Sequence, residues 1–358
     1  MPRIDQYLEF LVESGASDFH LSSGSRPVFR LDGDIRSAQD TDEMTSDMVV
    51  SLIEEIMPER NKEEFQKCFD TDFAYEIKGM ARFRVNVFMD LNGVGTVIRK
   101  IPVKILSADE LGLPQSVRNF CNLNKGLVVV TGPTGSGKST TLAAMIDLIN
   151  KTRSAHIITI EDPVEFVHTN KSCLINHREV HRHTSGFKNA LRAALREDPD
   201  IILIGEMRDL ETVEIAIETA ETGHLVFGTL HTTTAYSTID RIIGQFPADR
   251  QAQIRAMLSE SLKGVVAQTL VKKKGGGRAA AMEILCVIPS VSNLIREAKI
   301  YQIPSIMQTS RKLGMSLLND ALLDLVVAGT VEPREAWMKA VDKGDLEPRL
   351  RAAGFALP

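Results

Sequence analysis

Residues 132–140 read Gly-Pro-Thr-Gly-Ser-Gly-Lys-Ser-Thr, and no other stretch narrows the fold as sharply. They fill every fixed position of the G-x-x-x-x-G-K-S/T phosphate-binding loop. The flanks agree: residues 126–131 are an apolar run of strand length, and residues 140–150 have helical spacing. Glycines at 132, 135 and 137 let the backbone turn its N–H groups inward at a helix N-terminus, a setting that favours anionic oxygens. Gly132, Pro133, Thr134, Gly135, Ser136, Gly137, Lys138, Ser139 and Thr140 are therefore the expected cradle for the phosphates of a nucleotide. Lys138 would reach the β- and γ-phosphates, and the Ser139 hydroxyl would serve Mg2+.

Four continuous apolar runs, at residues 127–130, 156–160, 201–204 and 225–229, alternate with helical stretches. That pattern predicts an α/β core with a mainly parallel sheet covered on both faces, the phosphate loop lying at the carboxyl end of a strand. With 358 residues the chain can bury two cores. The predicted division is a small α+β domain over residues 1–100, a linker at 101–115, the core at 116–290 and a helical region at 291–358. The expected linker holds Pro102 and Pro114 and lacks a clear period. A net charge of −5 disfavours general affinity for nucleic acid. The longest apolar runs are strand-sized, and the N-terminal residues lack a basic-then-apolar leader pattern, so a cytoplasmic location is expected. Cys68, Cys121, Cys173 and Cys286 lie far apart, as expected for reduced thiols without a zinc site.

In the first domain, residues 4–12 and 45–57 have helical spacing, and Asp32-Gly33 reads as a turn between strands. Further strands are expected at 18–23, 28–31, 73–77, 82–89 and 95–101. Period two along residues 81–88 puts Arg82, Arg84 and Asn86 on one face and Phe83, Val85 and Val87 on the other. By residue chemistry alone, those arginines and Arg99 read as a solvated or salt-bridged face.

Three sets of polar residues follow strands of the core: Glu161, Asp162 and Glu165; Glu206, preceded by Gly205 where an Asp is often found; and His224 with His231 bracketing one strand. Strand-end carboxylates often cap helices, and a lone histidine is often structural. Three such sets beside a phosphate loop point instead to a catalytic cleft. Lys188, Arg192 and Arg196 line one helix face, either as surface charge or as a subunit contact, and residues 272–278 read as a basic hairpin tip. In the last region helices are expected at 292–298, 317–328 and 335–341, with breaks at Gly314, 329–333 and Gly344 and a peripheral tail over 345–358.

The phosphate loop, the acidic box Thr159-Ile-Glu-Asp-Pro-Val-Glu165, the segment Gly205-Glu-Met-Arg-Asp209 and the histidine box at 223–232 together resemble the secretion ATPase superfamily. Ala16-Ser-Asp-Phe-His-Leu-Ser-Ser23 and Ile239-Asp-Arg-Ile-Ile243 are similar to its type IV pilus retraction ATPases. The extension and type II secretion members carry an extra N-terminal domain and usually a paired-cysteine zinc module, neither of which is seen here. Residues 290–297 resemble the family's late A-I-R-N-L-I-R-E element, with Ser292 in place of its first arginine.

The resemblance implies a homohexameric motor of PAS-like N-terminal domains and RecA-like cores, docked through an inner-membrane pilus platform protein at the cytoplasmic face of that membrane. It would bind ATP and Mg2+ and drive retraction and twitching motility, with or without a second retraction ATPase. It also implies roles. Glu206 would orient or deprotonate the attacking water. Glu161 or Glu165 would position metal or water, Glu161 directly or through water. His231, with His224 as a second candidate, would sense the γ-phosphate. Arg82, Arg84 and Arg99 become candidates for an arginine finger given by a neighbour. Other readings are an accessory retraction motor, a nucleic-acid translocase with the same core, and a nucleotide-switched scaffold without turnover.

Overall fold

The computed structural model describes residues 2–31, 34–38, 41–101 and 104–356; the turn expected at Asp32-Gly33, residues 102–103 of the linker and the last two residues of the tail lie outside them. Packing divides the chain into two compact units: Met1–Lys104 with Pro163–Val167, and Ile105–Asp162 with His168–Pro358.

The first unit begins with α1 (Asp5–Glu13), ended by Gly15 at φ +72°, then β1 (Asp18–Ser22), β2 (Val28–Leu31) and β3 (Asp34–Ser37). Helix α2 (Ser46–Glu54) is capped by the Thr45 hydroxyl, which accepts from the Met48 N–H. Helix α3 (Glu59–Cys68) follows, then β4 (Asp70–Ile77), β5 (Ala81–Asp90) and β6 (Gly93–Ile101). The highly charged α3 has no apolar stripe to betray it. Only Asn61 is buried there, and its amide donates to the Thr71 hydroxyl at 2.8 Å. The strands form one antiparallel sheet in the order β3-β2-β1-β6-β5-β4. On β5, Phe83, Val85 and Val87 join Phe19, Ile98, Leu8, Leu11 and Ile53 in the core, while Arg82, Arg84 and Asn86 stay half-exposed on the other face. The period-two reading of this strand is what the backbone adopts.

The second unit opens with α4 (Gln115–Phe120), β7 (Gly126–Thr131), α5 (Lys138–Thr152), β8 (His156–Glu161), β9 (Leu174–Glu179) and α6 (Phe187–Ala194). It continues with β10 (Ile201–Ile204), α7 (Leu210–Glu221), β11 (Leu225–Thr229), α8 (Ala235–Gly244) and α9 (Gln251–Ser261). The hairpin β12 (Leu262–Lys272) and β13 (Arg278–Cys286) comes next, then α10 (Pro289–Arg296), α11 (Ile303–Thr309), α12 (Leu318–Val327), α13 (Pro333–Lys339) and α14 (Lys343–Ala352). The sheet order is β13-β12-β7-β11-β10-β8-β9, all parallel except β13.

Alternation along the strands sorts residues between two cores. Leu127 and Val129 face one with Ile202, Ile204 and Val226; Val128 and Val130 face the other with Leu203, Phe227 and the α5 residues Met145 and Ile149. Both faces are apolar because both carry helices, which is why these strands read as unbroken hydrophobic runs. The polar edge strand β9 has no such run and escapes sequence inspection.

A further core joins β12 and β13, through Val271 and Ala281, to Leu322 and Val326 of α12 and to Leu346 and Leu350 of α14. The tail over 345–358 is therefore not peripheral as expected. Asp342 caps α14, Gly344 lies inside its first turn rather than at a break, and Leu346 and Leu350 are fully buried. Leucines four residues apart make one anchoring stripe, masked in the sequence by surrounding charge and by Pro348.

Candidate active site

The phosphate loop bridges β7 and α5 at the carboxyl edge of the parallel sheet. Gly132, Gly135 and Gly137 adopt φ of +140°, +77° and +88°. Space as well as conformation demands glycine at 132, where an added Cβ would lie 2.2 Å from the Gln268 carbonyl oxygen. Pro133, Thr134 and Gly135 form the exposed tip, and Ser139 and Thr140 lie half-buried in the first turn of α5. The Ser136 hydroxyl is buried inside the loop with no hydrogen-bond partner.

Gln268, which the motif does not contain, braces the loop from β12. Its amide donates to the Ser136 carbonyl at 2.6 Å and its oxygen accepts from the Thr141 hydroxyl at 2.7 Å. The signal available in the sequence was a single amide inside the apolar run 264–271.

Lys138 Nζ donates to the Gly132 and Pro133 carbonyls at 2.8 and 3.2 Å and lies 3.5 Å from His231 Nδ1. His231 Nε2 in turn lies 2.9 Å from Glu206 Oε1. One tautomer satisfies both ends, with Nε2–H donating to the carboxylate and Nδ1 accepting from the ammonium. The three side chains follow β7, β11 and β10, consecutive neighbours in the sheet, so strand order alone brings them together.

The turn after β10 is built to present Glu206. Gly205 lies against Glu161, where an added Cβ would come within 3.2 Å of the Glu161 Cα, which accounts for glycine where an Asp is often found. Met207 is buried in the space left by Gly228, and its N–H donates to the Thr229 carbonyl at 3.1 Å. Anchored on both sides, Glu206 points its carboxylate at His231 and at Arg208 Nε, 2.6 Å away. Burial alone would raise the Glu206 carboxyl, but hydrogen bonding and charge from Arg208, with His231 beside it, outweigh it and hold the group below its usual range.

Glu161 ends β8 next to β10, with its Oε1 4.0 Å from His177 Nδ1. Glu165 belongs to the segment Pro163–Val167, which packs with the first unit, so the acidic box is divided between the two units. Arg84 and Arg99, also in the first unit, are bound there by Asp72 at 2.8 Å and Asp18 at 2.6 Å; Arg82 lies beside Arg84 on the half-exposed face of β5. His224 is the expectation the subunit does not meet. Its carbonyl accepts from the Gly126 N–H at the amino end of the sheet and its ring faces the Thr219 carbonyl. Five residue steps of strand, roughly 16 Å, separate that end of β7 from the phosphate loop. Lys188, in the basic stripe of α6, pairs with Glu211 of α7.

The residues fit a nucleotide with its metal. The Lys138 ammonium takes from loop carbonyls the acceptors that phosphate oxygens would offer, and the partnerless Ser136 hydroxyl lies within the same loop. No group of three acidic, histidine or cysteine side chains among the described residues would cage a cation unaided.

The fold and site have close counterparts. The chain is 53% identical to the type IV pilus retraction ATPase PilT of Pseudomonas aeruginosa over 94% of its own length and 98% of that protein's. It is 50% identical to a twitching motility protein of Neisseria gonorrhoeae, over 88% of this chain and 84% of that one. A crystal structure of the pilus retraction motor PilT with bound ADP superposes with a TM-score of 0.88 at 45% identity, covering 96% of this chain and 98% of the other. The family described as type II/IV secretion system protein matches residues 1–277, which include the phosphate loop, Glu206 and His231, and the chain belongs to that family, in the branch of the pilus retraction ATPases.

Proposed function

We propose that this protein hydrolyses ATP to drive retraction of type IV pili. The observation that carries the chemistry is the chain of contacts from Lys138 through His231 to Glu206 across three adjacent strand ends. The pilus reading rests on the near-full-length similarity to retraction ATPases.

The loop amides and Lys138 hold the β- and γ-phosphates, and the ammonium exchanges its loop carbonyls for phosphate oxygens on binding. Ser139, with Glu161 directly or through water, would hold Mg2+, which would supply charge neutralisation at the phosphates when bound. Glu206 is kept ionised by Arg208 and orients or deprotonates the attacking water. His231 touches both the phosphate-binding ammonium and the base, so gain or loss of the γ-phosphate changes its partners and reports the state of the site. His224 has no part in this step. The charge developing in phosphoryl transfer calls for a further cation, and Arg82, Arg84 and Arg99 are the candidates if a neighbouring subunit presents its first unit to the cleft. Glu165, in that unit, would then help position water or metal. The assembly that meets this need is a homohexamer with a PAS-like first unit.

No helix among the described residues is long and apolar enough to cross a membrane. We place the ring at the cytoplasmic face of the inner membrane, held by a platform protein of the pilus machine, with room for a second retraction ATPase beside it.

Phosphate release should be Mg2+-dependent and indifferent to single-stranded DNA, and stimulation by DNA would favour a translocase. A strain lacking the gene should carry abundant surface pili and fail to twitch. A bald strain would assign the motor to extension and overturn the retraction reading.

A further inference from the structure

Glu283 is a charged side chain on β13 that the chemistry above does not use, and it is only 4% exposed. Each of its carboxylate oxygens accepts one backbone N–H from a different helix. Ala235, the first residue of α8, donates to Oε1 at 2.6 Å, and Leu318, the first residue of α12, donates to Oε2 at 3.1 Å. A helix start normally finds its acceptor in its own cap or in water. Here one carboxylate from the sheet serves two helices.

The two helices lead to different places. Four residues before Ala235 stands His231, and the connecting segment is stiff. The Thr131 hydroxyl, on the strand that leads into the phosphate loop, donates to the Thr232 carbonyl at 2.8 Å. The Thr232 and Thr238 hydroxyls are bonded at 2.7 Å, and Thr234 caps α8 through a reciprocal pair with Ser237. On the other side, Ile284 exchanges backbone hydrogen bonds with Ser316, two residues before Leu318. Helix α12 carries Leu318, Leu322 and Val326 into the core shared with α14. A displacement of the histidine segment therefore has a route to the C-terminal core through α8 and the shared carboxylate.

We propose that Glu283 is a positioning residue that couples the state of the nucleotide site to the C-terminal helices, by holding the first N–H of α8 and the first N–H of α12 on one carboxylate. The coupling is reciprocal: a load that shifts α12 alters nucleotide affinity by the same factor that nucleotide alters the position of α12. This rests on the nucleotide reading of the previous subsection. Glutamine keeps the shape of the side chain but presents a donor where one of the two N–H groups needs an acceptor, so Glu283→Gln opens one arm of the clasp.

The test is amide hydrogen exchange of the full-length protein with no nucleotide, with Mg·ADP and with Mg·ATPγS. In the wild type, exchange in residues 318–327 should differ roughly tenfold between the two nucleotides, within the usual range of site-to-site coupling. In Glu283→Gln both nucleotides should still protect residues 132–139, while the difference at 318–327 falls below about twofold. A merely structural role would raise exchange equally with either nucleotide and keep the tenfold difference, and that result overturns the proposal. Should Glu283→Gln fail to fold, Leu318→Pro removes the α12 N–H together with part of the buried Leu318 side chain, at a first-turn position that tolerates proline after an extended Leu317. Retained coupling in that variant is equally fatal. Loop protection without any nucleotide-dependent change at 318–327 in the wild type overturns the coupling and leaves the nucleotide reading intact. Absence of loop protection removes both.

Discussion

On the antiparallel sheet of the first unit, Arg84 lies against Asp72 and Arg99 against Asp18, each cation matched by an anion of its own sheet. At the carboxyl edge of the parallel sheet, Lys138, His231 and Glu206 come from three different strands, and the lysine rests on carbonyls of its own loop. In the first arrangement each of these two cations is paired within its own sheet. The second is a row of donors and acceptors oriented toward a shared edge, which a phosphate chain can enter. Parallel strands produce such edges because all their carboxyl ends point one way, whereas an antiparallel sheet alternates ends and disperses its polar side chains over a face.

The sharpest test of this contrast is to ask whether the matched arginines are only matched. If one of Arg82, Arg84 and Arg99 acts on a neighbour's nucleotide, its replacement by alanine should lower kcat by about 10³-fold or more. The other two should leave turnover alone; loss of the half-exposed Arg84–Asp72 pair should cost under about 1 kcal/mol of stability, whereas loss of Arg99 leaves the buried Asp18 short of a partner and should cost more. Mixing the inactive arginine variant with Lys138→Ala subunits should restore part of the activity, because each variant supplies what the other lacks. Full turnover in all three single variants would return these residues to a purely structural role.

Next in size is the effect expected at Glu206, the proposed base. Glu206→Gln preserves the packing of Gly205 and Met207 but removes the carboxylate, so phosphate release should fall at least about 10²-fold while nucleotide affinity stays within a few-fold. Unchanged turnover would take Glu206 out of the chemistry and leave the strand-end row as a binding device.

The same contrast explains what could be read before the structure. A phosphate loop is local: nine consecutive residues state both the backbone conformation and the ligand. The apolar runs of β7, β8, β10 and β11 state that the sheet is parallel and covered, and the segments after them become one edge by topology alone. Residues whose meaning depends on distant partners were hidden. Gln268 braces the loop because β12 lies next to β7, and His224 lies away from the loop because it precedes β11 rather than following it. Leu346 and Leu350 have meaning only against α12 and the hairpin. Charged α3 and edge strand β9 lack the periodicity that burial imposes, so their composition resembles loop. The motif Glu161 to Glu165 reads as one unit in sequence, yet its second half packs with the other body.

Gln268 offers a test of the loop that leaves the row of Lys138, His231 and Glu206 untouched. Gln268→Ala removes the acceptor of the Thr141 hydroxyl and the donor to the Ser136 carbonyl, both in buried surroundings. Each unmet buried group costs about 1–3 kcal/mol, and part of that cost falls on the loop shape that receives phosphate. Nucleotide affinity should weaken roughly tenfold, with a smaller change in kcat. An unaltered affinity measured by calorimetry would show that the glycines alone hold the loop.

The smallest effect concerns charge within the row itself. Burial pushes the Glu206 carboxyl upward and Arg208, with His231, pulls it below its usual value of 4.5, so the downward pull wins. For a carboxyl lowered in the folded state, the associated stability is present above the unfolded value and is lost as pH falls through the folded one. The acid limb of kcat/KM, which reports the free enzyme, should accordingly lie below the ordinary carboxylate range. Arg208→Ala removes the strongest opposing contribution and leaves burial in place, so the limb should move to higher pH. Relative to wild type, the variant should then lose more activity near about pH 5 than near about pH 8. Arg208 at the edge would in that case do for Glu206 what Asp72 does for Arg84 on the first sheet, fixing a charge by pairing it, with the difference that the paired group still faces the reacting phosphate. A limb that stays in place would mean that His231 alone sets the charge of the base, and would shift the electrostatic centre of the edge from β10 to β11.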